Sequence, residues 1–231
     1  IEEYRSRTDR FLLGEVLPII TGILNYMRDS KEVRMVEVAG SARRRKETVG
    51  DLDVLVSSLD PQPVSDYFIA MPPVERVLAH GPTKSTVVLE NKLQVDLRVI
   101  PPESYGAALQ YFTGSKEHNV KLRTIGVRAG FKLNEYGLFD RETDDLIAAE
   151  KEEEIYRALG MDWMPPELRE NTGELSVQRE GRLPNLVELG DIKGDLHIHS
   201  DWSDGRASIE EMIQKAISME LEYVTITDHT K

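Results

Sequence analysis

The sequence contains no cysteine, so no disulfide can form, and a reducing, intracellular setting, the cytoplasm, is expected. No apolar run approaches the roughly 20 residues that span a bilayer, and no secretory leader is visible, so no membrane association is expected. Cations are outnumbered. Lys and Arg total 29 against 41 Asp and Glu, a formal net charge of -12, which argues against a general nucleic-acid binder. The deficit is uneven: residues 1–150 carry 20 cations and 23 anions, whereas residues 151–231 carry 9 and 18. A local basic groove therefore remains open to the N-terminal part. The sequence also lacks an initiating Met and stops at Lys231 straight after an apolar run, so it reads as a fragment cut at both ends. Its 231 residues are enough for one large or two small cores.

What is present centres on Gly40-Ser41-Ala42-Arg43-Arg44-Arg45-Lys46-Glu47-Thr48-Val49-Gly50-Asp51-Leu52-Asp53. Gly40-Ser41 is predicted as a tight turn between a strand and a short helix. Four cations follow, and Asp51-Leu52-Asp53 opens the next strand. Alternation along a strand puts Asp51 and Asp53 on one face. Two adjacent carboxylates repel unless a cation lies between them. Phosphoryl transfer uses that arrangement, with carboxylates holding divalent ions and Arg and backbone amides gripping a polyphosphate. A bare Asp-x-Asp is also the polar start of many ordinary strands.

Periodicity predicts a helix over residues 7–28, kinked at Pro18. Strands are predicted over Val36–Ala39, Asp51–Val56 and Val74–Ala79, with a helix over Val64–Met71. Thr86–Leu89 and Leu93–Val99 read as a hairpin joined by Glu90-Asn91-Lys92. In its second strand Gln94, Asp96 and Arg98 share the polar face. If this strand lies beside Asp51–Val56, Asp96 completes a three-carboxylate cluster; the plain alternative pairs it with Arg98. A helix is predicted over Lys116–Ala129, with Gly130 suited to its C-cap. Residues 160–190, rich in Pro, Glu and Arg, read as an extended linker with little core. Beyond them, Gly194–His199 reads as a strand, Ile209–Met219 as an amphipathic helix and Tyr223–Thr227 as a buried strand, together a βαβ unit. Its polar residues lie at the strand ends, where α/β barrels carry chemistry. His197 and His199 share one face, and Asp204 and His229 join them as metal-ligand candidates, although a His-x-His pair alone is as often solvated or satisfied in a core.

Ala-Gly-Ser-x-Arg-Arg…Gly-Asp-Leu-Asp-Val-Leu, followed by Val-Asp-Leu-Arg and by Tyr111-Phe112-Thr113-Gly114-Ser115, resembles the palm and thumb of the X-family, polymerase-beta-like DNA polymerases. The His-x-His, Asp204 and Asp-His motifs resemble the start of a PHP phosphoesterase domain, which the bacterial and archaeal X-family polymerases carry at the C-terminus. The fold class implied is α/β: an α+β nucleotidyltransferase palm with a small mixed sheet, a helical thumb, then the first βαβ unit of a PHP barrel. The implied boundaries are 1–30 for the end of the fingers, 31–102 palm, 103–160 thumb, 161–190 linker and 191–231 the PHP fragment.

The resemblance implies template-directed DNA synthesis from deoxynucleoside triphosphates, in short-gap filling, by a monomer acting on primer-template or gapped DNA. Asp51, Asp53 and Asp96 would hold two Mg²⁺ or Mn²⁺ ions. Ser41 and Arg44 would contact the β- and γ-phosphates, and Gly50 would allow close backbone approach. Tyr111, Phe112 and Gly114 would face the sugar and exclude a ribose 2′-hydroxyl, or simply pack as core. Asn119 and Arg123, four apart on one helix face, would look toward the nascent base pair from the minor groove. Arg10 is a third phosphate contact or, the reading preferred here, an ordinary exposed arginine at a helix start. Arg43, Arg45 and Lys46 are assigned to the surface or to DNA-backbone contact. In the PHP part His197, His199, Asp204 and His229 would bind Zn²⁺ or Mn²⁺ in a complete domain, and no hydrolysis is expected from this portion. The alternatives are a nucleotidyltransferase acting on RNA or a small molecule, and a catalytically silent DNA-binding module.

Overall fold

The computed structural model describes residues 10–178 and 183–230, in two compact units that divide between Leu183 and Pro184. The first unit begins with β1 (Phe11–Leu12), α1 (Leu13–Arg28), β2 (Met35–Val38), α2 (Gly40–Arg43), β3 (Thr48–Val49) and β4 (Asp51–Ser57). It continues with α3 (Pro61–Ile69), β5 (Val74–His80), β6 (Lys84–Leu89) and β7 (Gln94–Ile100). Five of these strands form one mixed sheet in the order β2-β4-β7-β6-β5, in which only β4 and β7 run parallel.

Alternation decides what each sheet face meets. Leu52, Val54 and Val56 of β4 and Val95, Leu97 and Val99 of β7 pack with Ile20, Ile23 and Met27 of α1 and Val64 and Phe68 of α3. Each such fully buried side chain contributes about 1.5–3 kcal/mol. Asp51, Asp53 and Leu55 take the opposite face of β4. There Leu55 lies in a separate cluster with Ile100, Tyr105 and Ala108, so the far end of that face is covered and the aspartate end is left open.

The chain then folds α4 (Tyr105–Thr113), α5 (Lys116–Arg128), the antiparallel strands β8 (Phe131–Asn134), β9 (Gly137–Asp140) and β10 (Leu146–Ala148), α6 (Glu152–Ala158) and α7 (Glu174–Gln178). Leu122, Ile125, Leu138, Ile155 and Tyr156 form their core. The second unit contains β11 (Gly194–Ile198), α8 (Ile209–Ser218) and β12 (Tyr223–Ile226), with β11 and β12 parallel. Among the described residues no helix is long and apolar enough to cross a membrane.

Several elements depart from expectation. The first helix starts at Leu13, because Phe11 and Leu12 pair with β3 and the Glu15 carboxylate caps the Leu12 N–H; residues 7–9 of the expected helix lie outside the described residues. As expected, Pro18 lies inside α1, which continues to Arg28. A helix, α4, leads into the Tyr-Phe motif where none was predicted. The supposed linker is not extended and coreless: Met161, Met164 and Leu175 are buried with Leu122 and Tyr156 in the core of α4–α7 and β8–β10, the second lobe of the first unit, and Arg169 is wholly buried. Its residues 179–182 lie outside the described residues. The strand β12 is not buried, since a two-stranded sheet with one helix leaves its second face open and Tyr223 is exposed.

Candidate active site

The site grows from the loop between β2 and β4. Gly40 has φ +59°, in the left-handed region, and a Cβ built there would lie 2.3 Å from Asp53 Oδ2. Only glycine lets the start of α2 cross so close to the carboxylate. Parallel pairing of β4 with β7 sets Asp53 directly beside Asp96 and Asp51 beside Gln94. Burial above all, with the neighbouring charges of Asp51 and Asp96, pushes the Asp53 carboxyl up to about 7 against the opposing pull of Arg98 and Arg44. A carboxyl that retains its proton between two other acids is a site that a divalent cation relieves, and an all-oxygen donor set suits Mg²⁺ or Mn²⁺. The residues therefore fit the metals that the fold implies. The Asp96 oxygens are held by the Thr86 hydroxyl and, at 3.0 Å, by the Gln94 amide, and among the described residues the three carboxylates do not form one tight cluster. Arg98 is not the partner of Asp96: its guanidinium lies 4.9 Å over the Phe112 ring.

A cavity of about 510 Å³ opens over these aspartates, within the usual size of a small-molecule site. It is lined by Ser41, Arg44, Gly50, Asp51, Asp53, Tyr111, Phe112, Gly114, Asn119 and Arg123, together with Arg10, Gly40 and Lys116. Of the candidates from the first unit, Asp96 is the one that does not line it. Gly114, with φ +69°, ends α4 and turns the chain into α5, which brings Tyr111 and Asn119 to the same wall. Tyr111 and Phe112 meet edge to face at 5.1 Å. The Asn119 amide is committed: it donates to the Tyr111 carbonyl at 2.7 Å and accepts from Gln110 at 2.8 Å. Arg123 has no hydrogen bond or ion pair among the described residues.

Two arginines are placed differently from their sequence reading. Arg10 is not at a helix start; it precedes β1, donates to the Thr48 hydroxyl and carbonyl at 2.8 and 2.7 Å, and lines the cavity. Arg43 is no surface charge. It forms a two-pronged pair with Glu152 at 2.9 and 2.7 Å and donates to Thr113, while the buried Arg169 reaches the same carboxylate at 2.6 Å. This three-residue network ties α2 of the sheet lobe to α6 of the second lobe. It was not found from sequence, because Arg43 lies 109 residues from Glu152. Arg44 and Lys46 both face Glu170, at 2.8 and 3.7 Å.

In the second unit, ligand atoms of His199, Asp204 and His229 lie within 4.8 Å of one another. The His197 ring stands 4.8 Å from that of His199 but is outside this group. His199 Nδ1 is buried and lies 3.2 Å from Asp204, yet out of line for a hydrogen bond. An orphaned imidazole nitrogen beside a carboxylate and a second imidazole fits Zn²⁺ or Mn²⁺. Asp228, the acid of the Asp-His motif, was given no role from sequence; it accepts from the Ser200 N–H and hydroxyl and from Ser203, and these bonds lower its pKa and tie the loop after β11 to the end of β12.

Residues 108–170 match the family described as DNA polymerase beta thumb, and residues 195–231 match the PHP domain. Across 99% of its length the chain is 37% identical to the DNA polymerase/3'-5' exonuclease PolX of Bacillus subtilis, and it spans 40% of that protein. A stretch of 78 residues, 33% of this chain and 16% of the relative, is 41% identical to the human DNA-directed DNA/RNA polymerase mu. The fold is that of Leishmania infantum polymerase beta, seen in a ternary P/T complex, with TM-score 0.63 and 23% identity over 72% of this chain and 79% of that one.

Proposed function

Because the chain belongs to the PolX family of DNA polymerases, with a thumb and part of a PHP domain, we propose that it adds deoxynucleotides to a primer 3′-hydroxyl as a template directs, in short gaps of DNA under repair. The observation that carries this reading is the convergence of α2, β4, α4 and α5 on one cavity with an aspartate pair at its floor. Asp51, Asp53 and Asp96 would hold the divalent ions, which when bound acidify the attacking hydroxyl and neutralise charge on the triphosphate. Ser41 and Arg44 bind the non-bridging phosphate oxygens, and Arg10 adds a third contact at the same wall. Tyr111, with its carbonyl fixed by Asn119, forms the surface against the sugar. Arg123 donates toward the minor-groove edge of the new pair, where the acceptors are common to correct pairs.

Primer extension with each single deoxynucleotide, with and without template, tests the proposal. Addition should follow the templating base and require Mg²⁺ or Mn²⁺. Arg44→Ala should raise the apparent KM for the nucleotide by roughly 10- to 100-fold, the worth of a charge-assisted bond, with DNA affinity unchanged. Extension indifferent to template, or a fall in DNA affinity with an unmoved nucleotide KM, would contradict it.

The second unit resembles the start of a phosphoesterase, but its Asp204 and His229 side chains are 66% and 68% exposed, so bound metal would exchange readily with solvent. We expect this chain to show no hydrolysis of DNA 3′ ends. Manganese-dependent exonuclease activity lost in His199→Ala would overturn that expectation.

A further inference from the structure

Glu170 belongs to no motif that the sequence reading singled out, yet it is fixed against the phosphate-binding wall. Its Oε1 accepts from Arg44 Nε at 2.8 Å, and the Thr113 carbonyl accepts from Arg44 Nη1. Both partners of the ion pair are largely shielded, with 13% and 24% of their side chains exposed. The segment that carries Glu170 is itself anchored. The Arg169 carbonyl accepts from the Ser115 N–H at 2.9 Å at the start of α5, and the Arg169 side chain is locked onto Glu152 and the Met164 carbonyl.

A guanidinium offers five N–H donors in one rigid plane. Here that plane is gripped at Nε and at Nη1, on different sides of the fork, so it cannot swing. Both Nη2 hydrogens remain without a partner among the described residues, on a side chain that lines the cavity. A free Arg side chain must give up its rotamer freedom when a phosphate orders it, and a pre-set one does not.

We propose that Glu170 is a positioning residue for phosphate recognition: with the Thr113 carbonyl it holds Arg44 so that Nη2 is presented to an incoming triphosphate. This rests on the assignment of the cavity to a nucleotide. On geometry, Glu170 does not compete with the phosphate, because it occupies the Nε position and leaves Nη2 open.

The test uses the 231-residue chain, with inorganic tripolyphosphate binding followed by calorimetry and nucleotide KM by primer extension. Glu170→Ala should weaken tripolyphosphate binding and raise nucleotide KM about tenfold, with the primer-template KM unmoved. Glu170→Gln keeps a carbonyl oxygen for Nε and should recover all but about threefold of the loss. If Glu170→Ala does not fold, Glu170→Asp, one methylene short of Nε, should show the same weakening. Tighter tripolyphosphate binding in these variants would show that Glu170 opposes the phosphate. Unchanged binding would show that the contact plays no part in recognition, and a loss in Gln as large as in Ala would assign the effect to charge rather than to positioning. Each of these three results overturns the proposal. A parent protein that binds tripolyphosphate with this dependence on Glu170 but adds no nucleotide would refute the polymerase reading and leave the role of Glu170 standing.

Discussion

Asp53→Asn should reduce nucleotide addition by about a thousandfold or more while leaving the protein folded. Metal-held carboxylates supply several kcal/mol of charge stabilisation in the transition state, and each 1.36 kcal/mol is a factor of ten. The substitution removes a ligand without changing the shape of the side chain, which matters because Gly40 lies against it. Its effect on stability should have the opposite sign. The folded protein holds the Asp53 proton up to about pH 7, against an ordinary carboxyl value of 3.8. Between those values the folded state binds more protons than the unfolded one, so this group's contribution falls as pH rises and is lost above pH 7. In a chelating buffer at pH 8, Asp53→Asn should therefore be more stable than the parent, on the order of 1–2 kcal/mol after allowance for partial solvent screening. The gain should vanish toward pH 4. Primer extension and thermal melting on the same samples measure both effects. An active variant would remove Asp53 from the chemistry, and an inactive variant that melts well below the parent would show a structural role instead.

Glu152→Gln should produce the largest loss of stability. Burial alone would raise the Glu152 carboxyl, but hydrogen bonds from Arg43 and the charge of Arg169 overcome it and hold the pKa down to about 2, against an ordinary 4.5. In that window the unfolded state binds the extra proton. The stabilisation is thus complete above pH 4.5 and is lost as pH falls to about 2. A shift of that size corresponds to about 3 kcal/mol, in line with the roughly 3–5 kcal/mol lost when one member of a buried pair is removed. For a chain of this length the melting temperature should drop by about 6–12 °C at pH 7. The acid branch of the stability curve between pH 4.5 and 2 should flatten in the variant. A parent protein whose melting temperature is constant across that window would show that the network does not bear on stability.

The features legible in the sequence were those written in local pattern. Alternation along Asp51–Val56 and Leu93–Val99 identified the strands and the face that carries the three aspartates, and the side-by-side placement of Asp53 and Asp96 followed once those strands were paired. The resemblance to the X-family polymerases, carried by local motifs, singled out ten residues that line the cavity. The Pro- and Glu-rich composition of residues 160–190 misled, because composition reports average polarity and not the partner a charge will find. Arg169 is wholly buried for the reason that Glu152 is beneath it.

Sequence by itself determined the strand faces, the tight turn at Gly40 and the residue types of the site, since each depends on backbone sterics or on a period of a few residues. Tertiary structure alone decided which charges meet. Arg43 with Glu152, and Arg44 with Glu170, are 109 and 126 residues apart, and no local periodicity spans such a distance. Whether an arginine becomes a strut between lobes or a donor facing the cavity depends on which side of α2 the second lobe covers. That is set by the packing of α4 and α6 after the chain has folded.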